Sequence, residues 1–147
     1  MEFFVKRFSD LTTTELYALL HVRNQVFVVE QDCVYQDLDE IDYDSLHVFG
    51  YENEKIVAYL RTFIKDSAAK TAQIGRVLTT KRNAGFGRQI FDKGIFVAKE
   101  YLKAKTIYIE AQCYAIGFYE KAGFQIVSEE FLEDGIPHVK MELKTGL

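Results

Sequence analysis

The chain opens with apolar residues loosely alternating with polar ones in FFVKRF, residues 3–8, which predicts a first strand. Thr12 and Glu15 then stand three apart, the spacing of a capping box, in which each side chain satisfies a backbone donor at a helix start. Leu16, Leu19, Leu20, Arg23, Val26 and Phe27 follow at helical spacing and predict a helix of about four turns. Residues 32–45 are polar and acidic and read as a loop. LHVFGYENEKIVAYLRTFI reads as a hairpin turning at ENEK, and TAQIGRVLT as another strand, so three strands run in series. Further on, Ile90, Gly94, Ala98 and Tyr101 share one helical face, with Phe91, Ile95 and Leu102 beside them, as in a helix that packs against a sheet. KTIYIEAQ at 105–112 has strong strand propensity. YAIGFYEKAGF reads as a short helix stopped by Gly123. QIVSEEFL and PHVKMEL are two last strands around the turn EDGIP. The order is β-α-β-β-β-α-β-α-β-β: a mixed α/β (α+β) fold whose sheet carries helices on both faces. It is not a regular βαβ repeat, because the middle strands are consecutive hairpins.

Composition narrows this picture. With 147 residues, 48% of them hydrophobic, the chain is expected to fold as one domain over residues 1–147 with a substantial core. A net charge of -4 argues against nucleic acid as a partner, which calls for a dominant basic face. The apolar runs fall far short of the roughly 20 residues of a membrane span, and MEFFVKRFSD has the pattern of neither a signal nor a transit peptide. Cys33 and Cys113 are far apart, without C-x-x-C spacing, which suits a reduced, cytoplasmic protein with free thiols.

Candidate chemistry centres on TTKRNAGFGRQIF, Thr79 to Phe91. A strand, a glycine loop and a helix start form a natural anion site: the first N–H groups of a helix lack internal partners, and the helix dipole is positive there. Gly85 and Gly87 allow close backbone approach, and Arg82 and Arg88 bring charge. The loop is not a dinucleotide fingerprint, since Ile90 stands where a third glycine would be, and GFGRQ lacks the G-K-[ST] of a phosphate-binding P-loop. By itself a short G-x-G is equally a flexible turn. Downstream, Ala115, Tyr119, Gly123 and Phe124 form A-x-x-x-Y-x-x-x-G-F, in which Tyr119 is either a packing residue or a functional phenol.

Taken together, R-x-x-G-x-G at Arg82, Gly85 and Gly87, followed by a helix, a strand and FYEKAGF, resembles the GNAT family of N-acetyltransferases across nearly the whole chain. FVVEQ at 27–31, IGRV at 74–77 and EDGIPHVKM at 133–141 resemble its ElaA-like branch. The resemblance implies acetyl-CoA as co-substrate, with no metal, and a small-molecule amine or an exposed amino group of a peptide as acceptor. It implies that backbone N–H groups from Arg82 through Asn83, Ala84, Gly85, Phe86 and Gly87 to Arg88 carry the pyrophosphate of coenzyme A. The pantetheine arm would pair with Val77, Leu78 and Thr79, beside a bulge that splays the strands. Val77 N–H is the implied oxyanion donor, and Tyr119 the acid that protonates the departing thiolate. The proton acceptor for the amine is less defined, because QIGRVL has no carboxylate where many family members have one. Glu110, His138, His47 or a water chain are the alternatives. On the acceptor side Arg23, Phe27, Glu30 and His47 are the candidates, with the loop DLDEIDYD at 37–44, whose five acids either attract a cationic amine or are simply solvated. Arg23, on an otherwise apolar stripe, is either a buried ion pair or a substrate carboxylate contact. DLDEIDYD does not fit a calcium loop, and the spacing of Cys33, His47, Cys113 and His138 does not suggest a metal site. The alternatives are a coenzyme A-binding regulatory domain without catalysis and a longer acyl donor, limited by Phe27 and Phe118. The last strands can pair across a homodimer.

Overall fold

A computed structural model describes residues 1–82 and 84–147. Strands β1 (Glu2–Arg7), β2 (Leu46–Glu52), β3 (Lys55–Asp66), β4 (Thr71–Thr79), β5 (Thr106–Gln112), β6 (Gln125–Ile126), β7 (Phe131–Glu133) and β8 (Ile136–Lys144) join helices α1 (Thr13–Arg23), α2 (Phe86–Glu100) and α3 (Ile116–Glu120). The strands form one sheet in the order β1-β2-β3-β4-β5-β8-β6, with β7 also paired to β8. All pairings are antiparallel except β4 with β5, which the crossover through α2 makes parallel.

Local chemistry explains the boundaries. Thr12 Oγ1 accepts from Glu15 N–H at 3.0 Å and the Glu15 carboxylate accepts from Thr12 N–H at 2.9 Å, so the capping box forms. ENEK closes as a two-residue turn, with Glu52 opposite Lys55 and left-handed Asn53 and Glu54, the geometry that matches strand twist. EDGIP closes the same way: Glu133 faces Ile136 across left-handed Asp134 and Gly135. Gly123 stops α3 at a φ of 98°.

Three boundaries differ from the sequence expectation. The first helix is α-helical only to Arg23, and Asn24–Glu30 continue as a wider π-helical stretch that turns Phe27 and Glu30 toward the cleft described below. QIVSEEFL is two short strands rather than one, because the Ser128 hydroxyl accepts Lys140 N–H at 2.8 Å and takes the place of a ladder carbonyl. Tyr101 caps α2 instead of extending its buried face and is 55% exposed.

The helices do cover both faces. On one, Leu19 and Val22 of α1 pack on Phe49, Tyr59 and Leu78. On the other, Ile90, Phe91, Val97 and Ala98 of α2 pack on Val48, Leu60, Ile74, Ile107, Ile109 and Met141. Gly94 lets α2 approach closely: a Cβ there would lie 2.5 Å from Leu60 Cδ2. Since β5 gives Ile107, Ile109 and Ala111 to the α2 side, its alternate residues Tyr108, Glu110 and Gln112 face the α1 side. Beyond the end of α1 that side is open.

Candidate active site

The site arises where β4 and β5 part. Their ladder runs only from Thr71 opposite Thr106 to Gln73 opposite Tyr108 and then ends. On its other edge β4 bulges. Arg61 faces Gly75, but Tyr59 faces Leu78, so Arg76 and Val77 oppose a single residue of β3. Arg76 takes a left-handed φ of 54°, the strained residue of the bulge. The result is a cleft of about 1580 Å³, more than a drug-sized pocket and roomy enough for a long co-substrate plus an acceptor. Val77, Leu78 and Thr79 line one wall, and Glu110, Gln112 and Tyr119 the other.

One end of the cleft is the start of α2. Gly85 is the cap residue at a φ of 76°, which glycine adopts without strain, and the first-turn N–H groups have no acceptor within the helix. Gly87 lines the cleft. A Cβ on Gly87 would meet Phe118 at 3.7 Å and Thr79 at 3.9 Å, ordinary contacts, so packing within the chain does not require glycine there. Arg82 lines the cleft; Ala84 and Gly85 are exposed loop residues, and Phe86 is buried against the sheet, leaving only its backbone for a ligand. Asn83 lies outside the described residues. Arg88 donates to Phe118 O at 2.8 Å and lies over the Phe118 ring, so its side chain ties α2 to α3.

Tyr119 comes from α3, its ring packed edge-on against Phe91 at 5.0 Å and Phe118 at 5.2 Å. Burial, with Tyr114 adding to it, pushes its phenol up to about 12, so it keeps its proton at neutral pH and can donate it. Burial and then Glu130 raise the Cys113 thiol, the opposite of activation.

On the acceptor side the structure corrects two expectations. Arg23 is 0% exposed and bonds Asp42 at 2.7 Å and Asp37 at 3.1 Å, the buried ion pair of its two readings, away from any substrate. His47 is also 0% exposed, between Tyr59 Oη at 2.7 Å and Asp42 O at 2.9 Å, and burial lowers its pKa, so it reaches neither acceptor nor cofactor. The acidic loop is neither free nor simply solvated. Asp37, Asp39 and Asp42 close a network with Arg23, Arg61 and Arg76, three charges against three. Burial alone would raise Asp42, but hydrogen bonds from Arg23 and Arg61 outweigh it and hold the carboxyl below its ordinary value. Arg76 thereby pins residues 37–39 against the bulge. Only Glu40 and Asp44 of the five acids remain exposed.

Phe27 and Glu30 do line the cleft, as do Glu110 and His138. His138 stands opposite Gln112 on β8, so it shares a face with Glu110. Its ring stacks on Phe131, and Glu133 Oε2 lies 3.5 Å from its Nε2. Glu133 lines the cleft as well, and sequence reading missed it, although the two-residue turn at Asp134-Gly135 carries the signal: that register puts Glu133 on the face of His138. Among the described residues, no group of three or more His, Cys, Asp or Glu is arranged around a metal, and no helix is long and apolar enough to cross a membrane.

A strand splayed by a bulge ends at a glycine-started helix and faces a half-buried tyrosine, and comparison with known proteins identifies the family to which this frame belongs. The family model for the acetyltransferase (GNAT) domain matches residues 11–145. The chain belongs to the GNAT acetyltransferase family. It is 39% identical to protein ElaA of Escherichia coli (strain K12) over 137 residues, 90% of each chain. It is 37% identical over 129 residues to the uncharacterized N-acetyltransferase YjcF of Bacillus subtilis (strain 168), covering 86% of this chain and 91% of that one. The crystal structure of Escherichia coli ElaA superposes with a TM-score of 0.89 at 37% identity over 96% of this chain and 97% of that one. An acyl-CoA N-acyltransferase from Pseudomonas aeruginosa gives a TM-score of 0.89 at 36% identity, covering 97% and 99%.

Proposed function

We propose that the protein is an N-acetyltransferase that moves an acetyl group from acetyl-CoA to a primary amine by direct attack within a ternary complex. The observation that carries this reading is the cleft itself, a stretch of β4 unpaired on its β5 side that leads from a bulge to a helix start where glycine serves no internal packing need. Acetyl-CoA supplies the acetyl group as a thioester. The unpaired edge of β4 at Val77, Leu78 and Thr79 suits the addition of the pantetheine amides as an extra strand. The first-turn N–H groups of α2 suit the pyrophosphate, with Arg82 adding charge.

For the transfer, Val77 N–H is the donor assigned to the oxyanion. Tyr119 Oη gives its proton to the sulfur as the carbon–sulfur bond breaks; its raised pKa keeps the phenol protonated until that point. Glu110, His138, Phe27 and Glu30 line the same cleft and are the residues this reading gives to the acceptor. The test is titration calorimetry of the protein with acetyl-CoA, followed by thiol release with a panel of primary amines. Saturable acetyl-CoA binding and amine-dependent release are the expected results. A folded protein that binds no acetyl-CoA refutes the reading.

A further inference from the structure

We infer that His138, Glu133 and Glu110 form a receiving site for a primary ammonium group, in which His138 Nε2 takes the proton that must leave before the nitrogen can attack. This rests on the acetyl-transfer reading above and deepens it.

The argument starts from the hairpin. The two-residue turn sets Glu133 opposite Ile136 and Phe131 opposite His138, so Glu133, Phe131 and His138 share one face by the period of two. Phe131 stacks on the imidazole at 5.9 Å and fixes the ring plane. His138 Nδ1 lies 2.7 Å from Ile136 O. A carbonyl only accepts, so Nδ1 carries the hydrogen, and in the neutral ring Nε2 is left with its lone pair. The His138 side chain is only 8% exposed, and Nε2 makes no hydrogen bond among the described residues. The atom it faces, Glu133 Oε2 at 3.5 Å, is also an acceptor and too distant for a well-made bond.

Two acceptors turned toward each other lack a donor. Glu110, whose Oε2 receives Tyr108 Oη at 3.2 Å, adds a third acceptor to the same cleft lining. A primary ammonium has three N–H donors, one for each of these acceptors. Burial and then Glu110 raise the Glu133 carboxyl, with His138 acting against them. Asp134, next in the chain, and Arg76 from the bulge also act on Glu133, and Arg76 is already engaged by Asp37 and Asp39. Lys140 and Glu142 stand opposite Glu110 and Tyr108 on β8. When the proton passes to Nε2, the N–H bonding pair stays on the nitrogen as the attacking lone pair, and the imidazolium lies against Glu133. A quaternary ammonium has the charge but no N–H, so it cannot make the bonds.

The test uses the full chain with 15N-labelled histidine, its resonances assigned with His138→Gln. Expected are the Nδ1–H tautomer in the neutral ring and a saturable shift of the His138 Nε2 signal with butylammonium. Butyltrimethylammonium should bind at least tenfold more weakly. Glu133→Gln and Glu110→Gln should each weaken butylammonium about 10- to 100-fold, the loss of one charge-assisted bond. An Nε2–H tautomer, equal response to both cations, or an undiminished response in Glu133→Gln overturns the inference. Calorimetry with acetyl-CoA on the same samples separates the two readings: acetyl-CoA binding without an ammonium response defeats this site alone. An ammonium response without acetyl-CoA binding keeps the receiving site and defeats the transferase reading.

Discussion

Gly87→Ala should move stability and cofactor binding in opposite directions. The added Cβ meets Phe118 at 3.7 Å and Thr79 at 3.9 Å, so nothing in the fold has to give. The position is helical and its φ is not left-handed, so alanine also lowers the entropy of the unfolded chain. That change contributes about 0.4–1 kcal/mol, or a rise in Tm of about 1–4 °C for a chain of this size. Gly87 lines the cleft at the first turn of α2, so the same methyl adds bulk where the pyrophosphate would approach the backbone. Holding a phosphate off one N–H removes a charge-assisted hydrogen bond, about 1.5–3 kcal/mol, which is roughly 10- to 100-fold in Kd. Scanning calorimetry gives the first quantity and titration with acetyl-CoA the second. If Gly87→Ala binds acetyl-CoA within twofold of the native chain, the α2 start is not the phosphate cradle. If instead its Tm falls by several degrees, the glycine is structural and the argument from its open surroundings is wrong.

Three further perturbations probe other parts of the site. Tyr119→Phe keeps the ring packed against Phe91 and Phe118, so Tm should hold within about 2 °C and the Kd for acetyl-CoA should not change, while kcat falls about 10²- to 10⁴-fold; unchanged turnover would remove the phenol from the mechanism. Asp42→Asn leaves Arg23 and Arg61 without their shared carboxylate in the interior and should cost about 3–5 kcal/mol in chemical denaturation. Because Asp39 and Asp42 are held below their ordinary 3.8, the stability they add is present above that pH and lost as pH falls through their lowered values; acid titration of Asp42→Asn should show a shallower loss in that window. Gly94→Ala forces a carbon to 2.5 Å from Leu60 Cδ2 and should destabilise by about 1–3 kcal/mol, read as a Tm drop of about 2–12 °C.

Much of this protein is local, and what is local was legible. The capping box at Thr12 and Glu15, the turns at ENEK and EDGIP and the stop at Gly123 each depend on residues within a few positions, so spacing determined them. The glycine loop before α2 and the position of Tyr119 also followed from short motifs. Periodicity assigned both faces of α2 up to Ala98 but not its end at Tyr101, where a cap rather than the core sets exposure.

Charge was another matter. Asp37, Asp39 and Asp42 read as a free acidic loop because their partners lie far along the chain: Arg23 on α1, Arg61 on β3 and Arg76 in the bulge. Whether a carboxylate is spent inside the protein or offered to a ligand depends on pairing at long range, and no run of residues contains that information. The same holds for His47 and His138. Each sits in a strand, yet strand order and register bury the first against Tyr59 and turn the second, beside Glu133, into the cleft. Sequence determined the elements and the loop that marks the family. The tertiary structure decided which titratable groups face one another, because burial and register, not residue type, set what a charge can do.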